Sequence, residues 1–246
     1  DLMKYIDLNA DLAEEAGDDE ALYPFLSSAN VCCGRHAGGP EAMTKAVQAA
    51  IMHNVVIGAH VGYEDRENFG RFDVEMDYDS LRKLTFDQIH DLLDIVGTQG
   101  ATMKYVKPHG ALYMHLARDE EAARLLVQNL QIIEPTLLLY CMPNSVIWRV
   151  AKELGQPVVR EFYADREYDL TGSIVFTRNV RALDPATVAA RVLRACQTGL
   201  VRTVEGEDLF IEFDSICLHS DTPGALELVE ATREALDQAG ITVKTP

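Results

Sequence analysis

The chain has 246 residues, of which 48% are hydrophobic and 25% charged, so it can bury a large core and lacks the composition of a disordered protein. Its formal net charge of −17 argues against binding to nucleic acid or to an anionic membrane surface, because both need clustered Lys and Arg. No apolar run approaches the roughly 18 residues that a membrane span requires.

The cysteines indicate a reducing compartment. The five cysteines lie mostly inside apolar segments and form no Cys-x-x-Cys pair, which favours buried free thiols over disulfides or a structural zinc site. A strand-like run begins within four residues of the first residue, and this leaves no room for a signal peptide. These features predict a cytoplasmic protein.

Short apolar runs alternate with longer amphipathic segments along the whole chain. The runs predict seven strands: Tyr5–Asn9, Ser28–Cys33, Val55–His60, Met103–Lys107, Thr136–Met142, Val158–Ala164 and Ser215–His219. Further strands are expected at Ser173–Arg178 and at the pair Leu200–Val204 and Leu209–Phe213. The segments between have helical periodicity, with starts at Pro40, Asp119, Asn144, Asp184-Pro185 and Thr222-Pro223.

Alternation of this kind implies a parallel sheet covered by helices. The absence of a Gly-x-Gly-x-x-Gly turn favours a closed or nearly closed barrel over a dinucleotide-binding sheet. We therefore predict a single α/β domain over residues 1–246, built as an irregular seven-stranded (β/α) barrel. Ligands bind such barrels at the C-terminal ends of the strands.

Four histidines follow apolar runs and have glycine or another small residue beside them: His36, His60, His109 and His219. A strand that delivers an imidazole into a glycine-lined turn is typical of a ligand site. Because these histidines fall at the predicted C-terminal strand ends, we expect them to share a pocket. The other three, His53, His90 and His115, lie in or beside predicted helices and are expected to be structural or exposed.

The first strand adds polar groups to this pocket. Period-two alternation sends Asp7, Asn9 and Asp11 to one face, and charged groups inside a barrel are costly unless they are paired or bind a ligand. Lys107 places an ammonium group near His109. This ammonium group could bind a substrate carboxylate or pair with Asp7 or Asp11. We expect all of these residues to be catalytic, together with the four histidines.

A second set of polar residues is expected to bind substrate: Asn30, Arg66, Arg71, Asp165, Arg166 and Asp221. Arg66 and Arg71 lie in the loop after the third strand, and Asp165 and Arg166 follow the sixth. Arginine is suited to bidentate binding of carboxylate or phosphate.

A divalent metal site is a further interpretation of the histidines. His36, His60 and His109 with Asp7 would provide a ligand set with an open position. No His-x-x-x-His or His-Glu-x-x-His spacing occurs, so composition alone indicates this site. A phosphate-binding Gly-x-x-x-x-Gly-Lys-Ser/Thr loop and a Gly-x-Ser-x-Gly turn are also absent from the sequence.

Eight motifs occur in a characteristic order: Asp7-Leu8-Asn9-Ala10-Asp11-Leu12, Ser28-Ala29-Asn30-Val31, Cys33-Gly34-Arg35-His36-Ala37-Gly38, Gly58-Ala59-His60, Asp65-Arg66 with Phe69-Gly70-Arg71, Lys107-Pro108-His109-Gly110-Ala111-Leu112-Tyr113, Ala164-Asp165-Arg166 and Cys217-Leu218-His219. Together they resemble the LamB/YcsF family over nearly the whole chain. The resemblance implies a barrel of the glycoside hydrolase/deacetylase type. It also implies a 5-oxoprolinase activity, in which the lactam of 5-oxoproline is opened to L-glutamate with ATP and two partner subunits.

The sequence also departs from the family pattern. After Asp11-Leu12 the family has a Gly-Glu-Gly turn, whereas this chain has Ala13-Glu14-Glu15-Ala16-Gly17. Without glycine a left-handed turn is harder to form, so we expect a different loop shape. Arg35 replaces an aromatic residue. Two alternatives therefore stay open: a metal-dependent, deacetylase-like hydrolase of another small amide, and a divergent non-catalytic subunit that binds substrate.

Overall fold

The computed structural model describes residues 2–246, which form ten strands and eight α-helices. The strands are β1 (Tyr5–Leu12), β2 (Ser28–Cys32), β3 (Val56–Val61), β4 (Met103–Pro108), β5 (Leu138–Cys141), β6 (Val158–Tyr163), β7 (Leu200–Arg202), β8 (Asp208–Phe210), β9 (Ser215–His219) and β10 (Thr242–Val243). The helices are α1 (Asp19–Leu22), α2 (Pro40–Met52), α3 (Tyr78–Thr98), α4 (Gly110–Leu116), α5 (Glu120–Ile133), α6 (Val146–Glu153), α7 (Pro185–Thr198) and α8 (Ala225–Gln238).

Seven of the strands form a closed parallel barrel. Neighbouring strands follow the order β1-β2-β3-β4-β5-β6-β9, and β9 pairs back with β1. All seven predicted barrel strands are confirmed, with ends that differ by one to three residues. The predicted closed α/β barrel is therefore correct, and β7 with β8 forms the expected antiparallel hairpin. Within residues 2–246, no helix combines the length and apolar character that crossing a bilayer requires.

Three local predictions are wrong. Ser173–Arg178 is not a strand, because only Ile174 forms an isolated bridge, to Tyr168. Helix α6 is capped by Ser145, whose side chain accepts from the Trp148 amide, and not by Asn144. Helix α8 begins at Ala225 after a left-handed Gly224. Its predicted cap, Thr222, instead donates its hydroxyl to Asp165 Oδ2 at 3.1 Å.

Strand β1 explains why this barrel has a polar interior. Its alternate side chains Leu8, Ala10 and Leu12 are buried among the helices. The intervening Asp7, Asn9 and Asp11 point into the barrel at three successive levels, as the alternation predicts, and each is at most 1% exposed. The interior is therefore a stack of buried polar groups whose mutual pairing determines the architecture of the site.

A tight packing contact inside the barrel gives a testable consequence. A Cβ at Gly58 of β3 would lie 2.1 Å from the Tyr105 ring, which itself stacks on Tyr140 at 4.0 Å between ring centroids. Gly58→Ala is expected to lower the free energy of unfolding by about 1–3 kcal/mol through overpacking, measured by urea denaturation. The control Gly97→Ala, where helix α3 leaves open space, should raise it by about 0.5–1 kcal/mol. Equal effects of both variants would contradict this packing.

Candidate active site

A buried ammonium group lies at the centre of the barrel. Lys107 Nζ is 3.2 Å from Asp11 Oδ1, 3.1 Å from Glu161 Oε2 and 2.8 Å from Cys217 Sγ. The side chain has no exposed surface. Burial would lower the pKa of Lys107, but the negative charge of Asp11 and its other neighbours raises it well above its ordinary value. Lys107 therefore remains a fixed positive charge.

Asp11 connects this ammonium group to the histidines. Its Oδ1 is 3.3 Å from His60 Nε2, and its Oδ2 is 3.2 Å from His219 Nε2. Burial would raise the pKa of Asp11, but the two histidines and Lys107 lower it well below its ordinary value. Asp11 is therefore a carboxylate across the physiological pH range and acts as an acceptor.

A carboxylate orients His219 at the end of β9. Asp165 Oδ1 is 2.8 Å from His219 Nδ1, and Asp165 Oδ2 accepts from the backbone amide of His219 at 2.9 Å. Burial would raise the pKa of Asp165, but the charges of His219 and Arg166 lower it below its ordinary value. An ionised Asp165 places the ring proton on Nδ1. The Nε2 atom of His219 therefore faces the interior, where it can accept or donate a proton.

The other three histidines meet at Glu14. Glu14 Oε2 lies 2.6 Å from His36 Nε2, 3.5 Å from His109 Nδ1 and 3.8 Å from His60 Nε2. Burial and the nearby Asp11 raise the pKa of Glu14 well above its ordinary value. Glu14, His36, His60 and His109 could hold a metal ion, and so could Asp11, Cys217 and His219.

The loop after β1 brings Glu14 into this position. Ala13 and Glu15 both adopt left-handed backbone, with φ of 61° and 56°. The expectation that the loop would avoid this conformation is wrong. Two non-glycine residues in left-handed backbone store strain, which is typical of functional sites.

A narrow cleft opens beside these groups. Its lining consists of Asp11, His60, Arg71, His109, Gly110, Tyr113, Tyr163, Arg166, Ile174, Phe176 and His219. Its volume is about 20 Å³, which is room for about one water molecule. Binding of anything larger requires the wall formed by Ile174 and Phe176 to move. Among the described residues, the buried Tyr113 hydroxyl has no hydrogen-bond partner.

The structure brings together many of the residues expected from the sequence. Asp11, His60, His109 and His219 line the cleft. His36 and Lys107 lie directly behind them. Two of the expected substrate-binding residues, Arg71 and Arg166, also line the cleft. Asp221 pairs with Arg71 at 2.7 Å, and Asp165 contacts Arg166 at 3.5 Å.

Four of the expected site residues lie elsewhere. Asp7 is at the opposite end of the barrel, where it accepts hydrogen bonds from Ser28, Tyr140 and Ser215. Asp7 therefore does not join the histidine group, and Glu14 takes the place expected for it. Asn9 and Asn30 hydrogen-bond each other at 2.8 Å in the middle of the barrel, below the cleft. Arg66 is exposed and donates to the carbonyl of Gly34.

Sequence reasoning missed Glu14 and Glu161. Glu161 lies between Arg160 and Phe162 in β6 and is fully buried. A charged residue at an inward position of an apolar strand was the available signal. Glu14 gave no such signal, because its direction depends on the left-handed Ala13.

Fold and cleft together define a closed (β/α) barrel whose polar groups converge at the C-terminal strand ends. The family model of the LamB/YcsF family matches residues 6–246, and the chain belongs to this family.

Several relatives match over their full length. The chain is 59% identical to the first of the 5-oxoprolinase A subunits of Pseudomonas putida, with 99% of this chain and 100% of the relative covered. It is 61% identical to the second of the 5-oxoprolinase A subunits of Pseudomonas syringae, with coverages of 98% and 99%.

Solved structures confirm the fold. A lactam utilization protein from Thermus thermophilus superposes with a TM-score of 0.90 at 33% identity, covering 98% of this chain and 100% of that one. A family 4 carbohydrate esterase from Streptomyces lividans has a TM-score of 0.52 at 11% identity, covering 99% and 93%. This second similarity shows the barrel fold alone.

The buried cation gives a stability prediction. Lys107→Met would leave Asp11 and Glu161 buried without their counter-charge, so it is expected to lower the free energy of unfolding by about 3–5 kcal/mol. Lys45→Met, which removes an exposed lysine 3.5 Å from Glu41, should change it by about 0–0.5 kcal/mol. Urea denaturation measures both, and a change below about 1 kcal/mol for Lys107→Met would contradict the central role of the ammonium group.

The strained loop gives another prediction. Left-handed backbone costs a non-glycine residue about 1–2 kcal/mol, and the greater freedom of unfolded glycine offsets about 0.5–1 kcal/mol of the relief. Ala13→Gly is therefore expected to stabilise the fold by up to about 1 kcal/mol in thermal or urea unfolding. Ala16→Gly, in the same loop but without positive φ, should destabilise it. Equal losses for the two variants would show that Ala13 is not strained.

Proposed function

We propose that this chain is the A-type component of a 5-oxoprolinase and that its strand-end cleft opens the lactam of 5-oxoproline to L-glutamate. The main support is the convergence on one cleft of an oriented Asp165–His219 pair and two arginines, in a chain about 60% identical over its full length to proteins with that name. The full-length likeness to a lactam utilization protein agrees with this.

A five-membered lactam is an unreactive amide, so its hydrolysis benefits from activation. Phosphorylation of the lactam oxygen by ATP would make the ring carbon electrophilic. We propose that two partner subunits supply this step, since the sequence has no phosphate-binding loop of the standard type. The word subunit in the relatives' names supports an assembly of several chains. The buried free cysteines support a cytoplasmic location.

In the proposed mechanism, His219 acts as general base. Its Nε2 accepts a proton from the water that attacks the ring carbon, and Asp165 stabilises the resulting imidazolium. The carbon–nitrogen bond then breaks and the ring nitrogen takes up a proton. Arg71 and Arg166 bind the anionic groups of the substrate. The unpartnered Tyr113 hydroxyl is available to donate a further hydrogen bond to the substrate.

Turnover by the assembled complex tests this proposal. The wild-type chain, combined with its partner subunits and ATP, should convert 5-oxoproline to glutamate. His219→Gln and Asp165→Asn should each lower kcat by about 10²–10⁴-fold, because the first removes the base and the second loses the carboxylate that fixes its ring. His53→Gln, at an exposed histidine at the end of α2, is the control and should leave kcat unchanged.

Two results would contradict the proposal. If the wild-type complex gave no glutamate, the assigned reaction would be wrong. If the His219→Gln complex kept full activity, the reaction would not use this cleft in the manner described. A chain that only binds substrate would likewise tolerate both cleft substitutions in kcat.

A further inference from the structure

The protons on two neighbouring imidazole rings are fixed by backbone carbonyls. His60 Nδ1 lies 2.9 Å from the carbonyl oxygen of Lys107, and His109 Nε2 lies 2.7 Å from that of Phe69. A carbonyl only accepts hydrogen bonds, so each ring must carry its proton on that outer nitrogen. The inner nitrogens, His60 Nε2 and His109 Nδ1, are then both acceptors, yet they are only 3.0 Å apart.

Further acceptors face the same point. Asp11 Oδ1 is 3.3 Å and Glu14 Oε2 is 3.8 Å from His60 Nε2, and Glu14 Oε2 is 3.5 Å from His109 Nδ1. A second proton on His60 could bridge to only one or two of these atoms. Burial and the neighbouring imidazoles also lower the pKa of His109 well below its ordinary value. A cation that accepts several donors at once satisfies the whole group.

We propose that Glu14, His60 and His109 form a binding site for one divalent transition-metal ion of the zinc type. Metal–nitrogen and metal–oxygen distances of about 2.0–2.1 Å in a tetrahedral site separate the ligands by about 3.3 Å. The three distances between the donor atoms, 3.0, 3.5 and 3.8 Å, surround this value. Two imidazoles and one carboxylate match the preference of zinc and leave a fourth position open, and His60 and His109 line the cleft that can hold one water.

The surroundings have the features of a metal site beyond its ligands. Both imidazoles donate their outer N–H groups to carbonyls, which fixes tautomer and ring orientation, as metal-bound histidines require. His36 Nε2 lies 2.6 Å from Glu14 Oε2 and orients the carboxylate. Two glycines allow the rings to approach: a Cβ at Gly62 would lie 2.7 Å from His36 Nδ1, and one at Gly70 would lie 2.9 Å from His109 Cδ2.

Two alternatives in the same region are less suitable. The rings of His36 and His109 stack in parallel at 3.6 Å, so a single ion cannot lie in both ring planes, and His36 is a positioning residue and not a ligand. In the second group, Asp11 with Cys217 and His219, the ammonium of Lys107 is already 3.2 Å from Asp11 Oδ1 and 2.8 Å from Cys217 Sγ. That group already has its counter-charge.

Metal titration of the purified chain tests the site without any measurement of turnover, so its outcome is separate from that of the proposed function. After treatment with a chelator, the wild-type chain should bind one Zn²⁺ in isothermal titration calorimetry. Co²⁺ should give the intense visible absorption of a four-coordinate ion. Glu14→Gln and His60→Gln should bind Zn²⁺ more than about 100-fold more weakly, and His36→Gln about 10–100-fold more weakly.

His115→Gln is the matched control, because His115 also pairs with a carboxylate, Asp119, but lies outside the cluster. It should bind Zn²⁺ like the wild type. Zn²⁺ should also raise the Tm of the wild type and of His115→Gln, but not that of Glu14→Gln. The proposal is wrong if the wild-type chain gives no four-coordinate Co²⁺ spectrum. It is equally wrong if Glu14→Gln and His60→Gln both bind Zn²⁺ as tightly as the wild type.

Discussion

The ammonium group of Lys107 lies inside a closed barrel, within 3.2 Å of the carboxylates of Asp11 and Glu161. Two buried carboxylates would be unstable there without a cation, so the position of Lys107 decides which groups stay charged. Because Asp11 is held as a carboxylate, it in turn fixes His60 and His219 beside the cleft. The stability of the barrel and the chemistry of its mouth therefore depend on the same ion pairs.

The polar interior has a different character at each level. Near the start of β1, Asp7 is surrounded by hydroxyl groups, and burial raises its pKa, so this end is suited to a structural role. At the middle level Asn9 and Asn30 satisfy each other. Only the level of Asp11 and the loops above it combines charges, imidazoles and access from the cleft.

The sequence predicted what depends on local periodicity. The alternation of β1 correctly placed Asp7, Asn9 and Asp11 inside the barrel, and the seven apolar runs gave its strands. It did not show how far along the barrel axis each residue lies, which is why Asp7 was expected at the mouth. Glu14 and the start of α8 were missed because tertiary contacts determine them: the left-handed Ala13 in one case, and the Thr222–Asp165 hydrogen bond in the other.

The position of bound 5-oxoproline tests the central claim, that the strand-end cleft is where the lactam reacts. A crystal structure of the chain with this ligand should place it within hydrogen-bond distance of His219 Nε2 and of Arg71 or Arg166, with the Ile174 and Phe176 wall displaced. The larger surface cavities offer a clear contrast, such as the 420 Å³ cavity lined by Tyr23 and Lys45. A ligand bound only there, with the strand-end cleft unchanged, would contradict the account.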